Sequence, residues 1–128
     1  MKIDFINKSI SWWQDNTHGN AIAKGWWSQD CDLNNPSNLA AKLCLIHSEV
    51  SEALEELRVG KIDIYFNEES SGKPEGLMIE LADVVIRVMD LASALQEQGL
   101  TEYNLTMAMG LKAEYNLTRP DRHGGKKL

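Results

Sequence analysis

The chain has 128 residues, 43% of them hydrophobic and 25% charged, with a formal net charge of −6. That length suits one domain, and the composition excludes wholesale disorder. No apolar run approaches the roughly 18 residues of a membrane span, and an acidic domain is a poor general binder of nucleic acid.

The opening MKIDFINKSISWW lacks the apolar stretch and cleavage site of a signal peptide, so a cytoplasmic location is expected. A first helix is predicted from Asp4, as N-cap, to about Thr17, with Phe5, Ile6, Ile10 and Trp13 at helical spacing. A turn-rich stretch follows, carrying Trp26 and Trp27. Cys31 and Cys44 lack C-x-x-C spacing and read as reduced packing residues. A second helix is predicted from Ser37 or Asn38, after Pro36, to just before Gly60. Its core stripe is Leu39, Leu43, Ile46, Val50, Ala53 and Leu57, with Lys42, Glu49, Glu52 and Glu56 beside it. Within the loop that follows, IDIYF is either a short strand or a buried turn.

The third helix, about Glu75 to Glu97, is the most distinctive. Between Leu77 and Ala92 only Glu80, Asp83, Arg87 and Asp90 are polar, and their spacing places them on one narrow stripe. That stripe is either a line of solvent exposure or a polar seam facing a cleft. A fourth helix is predicted after Thr101, as N-cap, to about Thr118. These elements describe a single all-α domain, residues 1–128, of four-helix-bundle type, with a flexible basic tail from about 119 to 128.

Charge is unevenly spread. Residues 49–83 hold ten acidic side chains against three basic ones, a net −7, whereas the stretch from Lys112 onward nets +3. If the second and third helices pair antiparallel, Glu49, Glu52, Glu80 and Asp83 fall into one cluster. Two carboxylates 5 Å apart repel by roughly 3 kcal/mol at an effective dielectric near 20. Four of them, partly buried, must take up protons or hold cations. An all-oxygen set without His or Cys suits Mg²⁺, with Mn²⁺ as a substitute. A di-iron carboxylate bundle needs Glu-x-x-His pairs, and none occurs. The plain alternative is that E-x-x-E and E-x-x-D decorate helix surfaces.

Lys112, Asn116 and Arg119 share one face of the fourth helix, ahead of Arg122, His123, Gly124, Gly125 and Lys126. Such a face either holds phosphates or complements the helix dipole at a solvated end. Of the pairs Trp12-Trp13 and Trp26-Trp27, one member of each is expected in the core, leaving the other free to stack on a nucleobase. His18 either meets a base edge or caps a loop.

EVSEALEELR, then ELADVVIRVMDLA with 27 residues between Glu52 and Glu80, resembles the E-x-x-E … E-x-x-D signature of the MazG-like all-α nucleotide pyrophosphohydrolases. The ending LKAEYNLTRPDRHGGKKL is similar to that family's basic tail, and AKGWW adds weaker support. The resemblance implies hydrolysis of (deoxy)nucleoside triphosphates between the α- and β-phosphates, as in house-cleaning of the nucleotide pool. It implies Mg²⁺ held by Glu49, Glu52, Glu80 and Asp83, one glutamate also serving the attacking water. Lys112, Asn116 and Arg119 would then hold phosphates, and His18, Trp26 and Trp27 the base and sugar. It also implies a dimer or tetramer in which two chains build one bundle. Two rival readings stand beside it: a helical oligomerisation or regulatory module that binds nucleotide without cleaving it, and a purely structural bundle.

Overall fold

Ser9 opens the first helix: its side chain accepts from Trp12 N at 3.1 Å, and α1 runs Ile10–Ala23. The computed structural model describes residues 7–120. The predicted start at Asp4 is therefore corrected, because Ser9 is the cap; Asp4, Phe5 and Ile6 lie outside the described residues, as does the basic tail from residue 121 on. The helix also continues past Thr17 through Gly19 and Asn20. Its buried face is Gln14, Thr17, His18 and Ala21, mostly polar, rather than an apolar stripe. Each of those polar side chains has a partner, which is what allows burial. Gly25, with φ +78°, closes the helix in a Schellman turn: Trp26 N donates to Ala21 O and Gly25 N to Ile22 O. That turn sets Trp26 and Trp27 directly after α1.

α2 spans Pro36–Arg58, capped by Asn35, with Pro36 in the first turn. β1 (Tyr65–Asn67) pairs antiparallel with β2 (Lys73–Glu75), Tyr65 opposite Glu75, around one 3₁₀ turn at Glu68–Ser70. The IDIYF segment is thus partly a strand. α3 spans Leu77–Glu97. Gly76 at its N-cap offers no side chain, and the first amides are satisfied from outside the helix. Leu77 N donates to Lys61 O at 2.8 Å and Met78 N to Ile62 O at 3.2 Å. α4 spans Leu105–Leu117, capped by Asn104 and not by Thr101, whose hydroxyl bonds Tyr103 O instead.

The fold is mostly helical. α3 is the central element, with α1 and α2 packed on it. Both run antiparallel to it, as Gln14–Ser93 and His18–Asp90 show for α1, and Glu49–Arg87 with Glu52–Glu80 for α2. Leu33, Leu91 and Ala94 form the buried core, flanked by Trp27, Leu39, Ile46 and Leu95. Gln98 fastens the loop over it, accepting from Leu33 N and donating to Cys31 O. Cys31 packs on this cluster, whereas Cys44 is exposed. No helix among the described residues is long and apolar enough to cross a membrane.

The expected core stripe of α2 is corrected. The least exposed positions are Leu39, Lys42, Ile46, Glu49, Ala53 and Glu56, a 3-4 repeat, while Leu43, Val50 and Leu57 are about half exposed. α3 shows the same inversion, with Glu80 buried and Met78, Leu81 and Val85 exposed. α4 packs extensively on none of the other helices, and Met107, Met109, Leu111 and Leu117 are exposed along it. A single chain therefore presents apolar faces on three helices.

Candidate functional site

Because the 3-4 repeat of α2 turns Glu49 inward, it meets the polar stripe of α3 rather than solvent. Glu49, Glu52 and Glu80 each bring one carboxylate oxygen within 4.8 Å of the others. Glu49 is 7% exposed and Glu80 8%, while Glu52 opens outward. The polar stripe of α3 is thus a seam facing a cleft, one of the two readings its spacing allowed.

Burial pushes the Glu80 carboxyl up to about 7, helped by its hydrogen bond with Glu52 and by the charges of Glu52, Asp83 and Glu49. Asp83 lies outside the three-oxygen group but feels the same field. Burial and then the Glu49 charge raise it, against the opposing pull of Arg87. Glu80 Oε2 is buried with no hydrogen-bond partner. An orphaned carboxylate oxygen in a set of acids is a costly arrangement unless a proton or cation serves it. The donor set, all oxygen and open on the Glu52 side, fits Mg²⁺ or Mn²⁺.

Arg87, one turn after Asp83, donates from Nε to Glu49 Oε1 at 2.5 Å. Two cavities adjoin this pair. One, of about 340 Å³, is bordered by Glu49, Asp83, Asn16, Asn20 and Trp13. The other, of about 320 Å³, is bordered by Trp27, Lys42, Leu45 and Leu91. Trp26, Arg87 and Asp90 line both. Glu49 and Asp83 therefore open onto a tryptophan-lined space, whereas Glu52 and Glu80 border neither cavity.

Trp26 is 60% exposed, its ring available at the cavity wall. Trp27 is fixed: its indole N–H points at the Asp90 carboxylate (3.0 and 3.1 Å), and Lys42 Nζ sits 3.9 Å above its ring. His18 lies beneath, 5% exposed and edge-on to Trp27 at 5.5 Å. Its Nδ1 is 2.6 Å from Asp90 Oδ1 and its Nε2 3.0 Å from Glu97 Oε2. With both ring nitrogens taken, His18 positions Asp90 and Trp27 and leaves no ring nitrogen free for a base edge.

Lys112, Asn116 and Arg119 are not brought to the carboxylates within one chain. They ride on or just after α4, and none borders either cavity. Lys112 Nζ lies 5.1 Å over the Tyr115 ring instead. The cations at the cavities are Lys42 and Arg87, both visible in the helical stripes but not marked there as ligand groups. Asn20 was hidden because the stretch around Gly19 reads as turn, while Asn16 lies inside the predicted first helix, where the spacing gives it no mark. Comparison with protein-family models, curated proteins and solved structures finds no match to this chain.

Proposed function

We propose that the chain is a Mg²⁺-dependent nucleoside triphosphate pyrophosphohydrolase of the MazG-like kind, releasing nucleoside monophosphate and pyrophosphate. One observation carries the reading: the buried, partnerless Glu80 Oε2 lies among carboxylates of two helices, and Glu49 and Asp83 of that set border a cavity lined by Trp26. An isolated surface cluster of acids would not bury an unserved oxygen.

In this reading Glu49, Glu80 and Asp83 hold the cation from the floor of the seam, with Glu52 at its mouth. A divalent cation there, with Mn²⁺ able to replace Mg²⁺, supplies charge neutralisation and polarises phosphate oxygens. Glu52, the exposed member, is placed to orient the attacking water and accept its proton. Asp90, held by His18, fixes Trp27 as a rigid wall, and Trp26 offers a face to the base. Lys112, Asn116 and Arg119 take phosphates on a neighbouring chain's site, in a homodimer or homotetramer. The apolar faces left open on α2, α3 and α4 support that assembly. The biological role is removal of unwanted nucleotides from the pool.

A hydrolysis screen over ribo-, deoxyribo- and modified triphosphates, with monophosphate and pyrophosphate as readouts, tests the reading. Glu52→Gln and Asp83→Asn should each abolish pyrophosphate release while leaving a folded protein. Retained activity in both variants refutes it. Calorimetric binding of Mg-nucleotide without turnover, across the panel, favours instead a regulatory module that binds nucleotide.

A further inference from the structure

Arg87 belongs to both parts of the site. Its Nε is bonded to Glu49 at 2.5 Å, and its side chain borders the two cavities. Glu49 is the deep partner, its side chain 9% exposed against 35% for Arg87, so the guanidinium stands on the cavity side of the pair. Its terminal Nη groups carry no hydrogen bond to any described residue. Lys42 reaches the same cavity from α2, its Nζ 3.4 Å from Trp26 O. That cavity is therefore walled by two cations, Lys42 and Arg87, and two indoles, while Glu49 and Asp83 border the other, which Arg87 also lines.

We propose that Arg87 is an exchangeable counter-ion, bonded to Glu49 until a divalent cation claims that carboxylate and then turned to the phosphates of the nucleotide in the adjoining cavity. The proposal rests on the reading of Glu49, Glu52, Glu80 and Asp83 as a cation site. A guanidinium cannot discharge by losing its proton, so it must move when a second cation approaches its carboxylate. Turning leaves a planar fork of donors facing the cavity, the geometry that phosphate oxygens accept in pairs. Cation and nucleotide binding are then coupled through one side chain, and the coupling is reciprocal.

Calorimetry tests this with two probes: MgCl₂ alone, and the four α,β-methylene deoxynucleoside triphosphates at saturating Mg²⁺. Arg87→Gln should bind MgCl₂ several-fold tighter, since Glu49 is no longer contested, and bind the methylene nucleotides at least about tenfold more weakly. Arg87→Lys keeps the charge and loses the fork. It should show the same opposed shifts at smaller size, and it serves alone if Arg87→Gln does not fold. Lys42→Gln removes a charge from the same cavity without freeing a carboxylate, so its MgCl₂ affinity should match the wild type. Equal tightening in Lys42→Gln and Arg87→Gln would mean a general field effect and overturn the proposal. So would Arg87 variants whose two affinities stay unchanged or move together. Wild-type protein that binds no MgCl₂ overturns the cation site, and this inference with it.

Discussion

Gly76 is pressed against the backbone of Asp63: a methyl group on its α-carbon would stand 2.3 Å from Asp63 O and 3.1 Å from Asp63 C. Its φ of +116° is also one that side chains resist. Gly76 O accepts from Glu80 N at 3.1 Å, so this contact sets where α3 begins and where Glu80 points. Gly76→Ala should therefore cost about 2–4 kcal/mol in urea unfolding, from strain plus displacement of the 61–64 segment. Gly110→Ala is the control. That glycine lies inside α4 with open space around it, and alanine there should add about 0.5–1 kcal/mol through helix propensity.

Spacing alone shows that Glu80, Asp83, Arg87 and Asp90 share a stripe, and that Glu49 and Glu52 lie near the inward face of α2. It does not show which stripe faces in. α2 has apolar side chains on two faces, and the one containing Leu43, Val50 and Leu57 is left about half exposed, while the chain packs α3 against the face with Lys42, Glu49 and Glu56. The reason is tertiary: the polar partners on α3 select that face, and no local period contains them. The inward face of α1 was hidden for a related reason. On its buried side Gln14 and His18 are satisfied by Ser93, Asp90 and Glu97 some seventy or eighty positions away, and Thr17 by Gln14 O within the helix. The second strand, Lys73–Glu75, has no strand composition and exists because Tyr65–Asn67 pairs with it.

Stability should respond to pH through Glu80. Its carboxyl moves from an ordinary value of 4.5 up to about 7 in the fold. A raised acid favours the folded state only while protonated. The resulting penalty is absent below 4.5, grows between 4.5 and about 7, and is complete above that. In the presence of a chelator, Tm should therefore fall as pH rises across this window, and Glu80→Gln should remove that part of the slope. Mg²⁺ should do the same by favouring the ionised form, with a proton released on binding below pH 7. Titrations in two buffers of different ionisation enthalpy measure that proton. An unchanged slope in Glu80→Gln contradicts the assignment.

His18 ties α1 to α3 through two carboxylates of different worth. The Asp90 side chain is 17% exposed and the Glu97 side chain 64%. His18→Phe leaves Asp90 partly buried with only the Trp27 indole to serve it, and should cost about 2–3 kcal/mol. Glu97→Gln weakens only the exposed arm, where screening leaves under about 1 kcal/mol. Urea unfolding gives both values. Near-ultraviolet circular dichroism from the tryptophans should change in His18→Phe and not in Glu97→Gln, since only the former frees the wall that Asp90 and Trp27 make.

Placement of Lys112 on a helix that stands off the other three makes the assembly testable by mixing. If phosphate-binding groups reach the carboxylates of a second chain, Asp83→Asn and Lys112→Ala chains are each inactive alone and complement when combined. Each hybrid dimer then holds one site with both defects and one with neither. Random exchange of equal amounts should thus restore about a quarter of the wild-type sites. Pyrophosphate release after brief denaturation and joint refolding reads this directly. A tetramer built from such pairs gives the same fraction, so the result does not depend on the final state. Leu54→Glu, on an exposed apolar position of α2, should slow sedimentation toward that of a monomer. Absence of any recovered activity in the mixture, from chains that still associate, would place Lys112 outside the site.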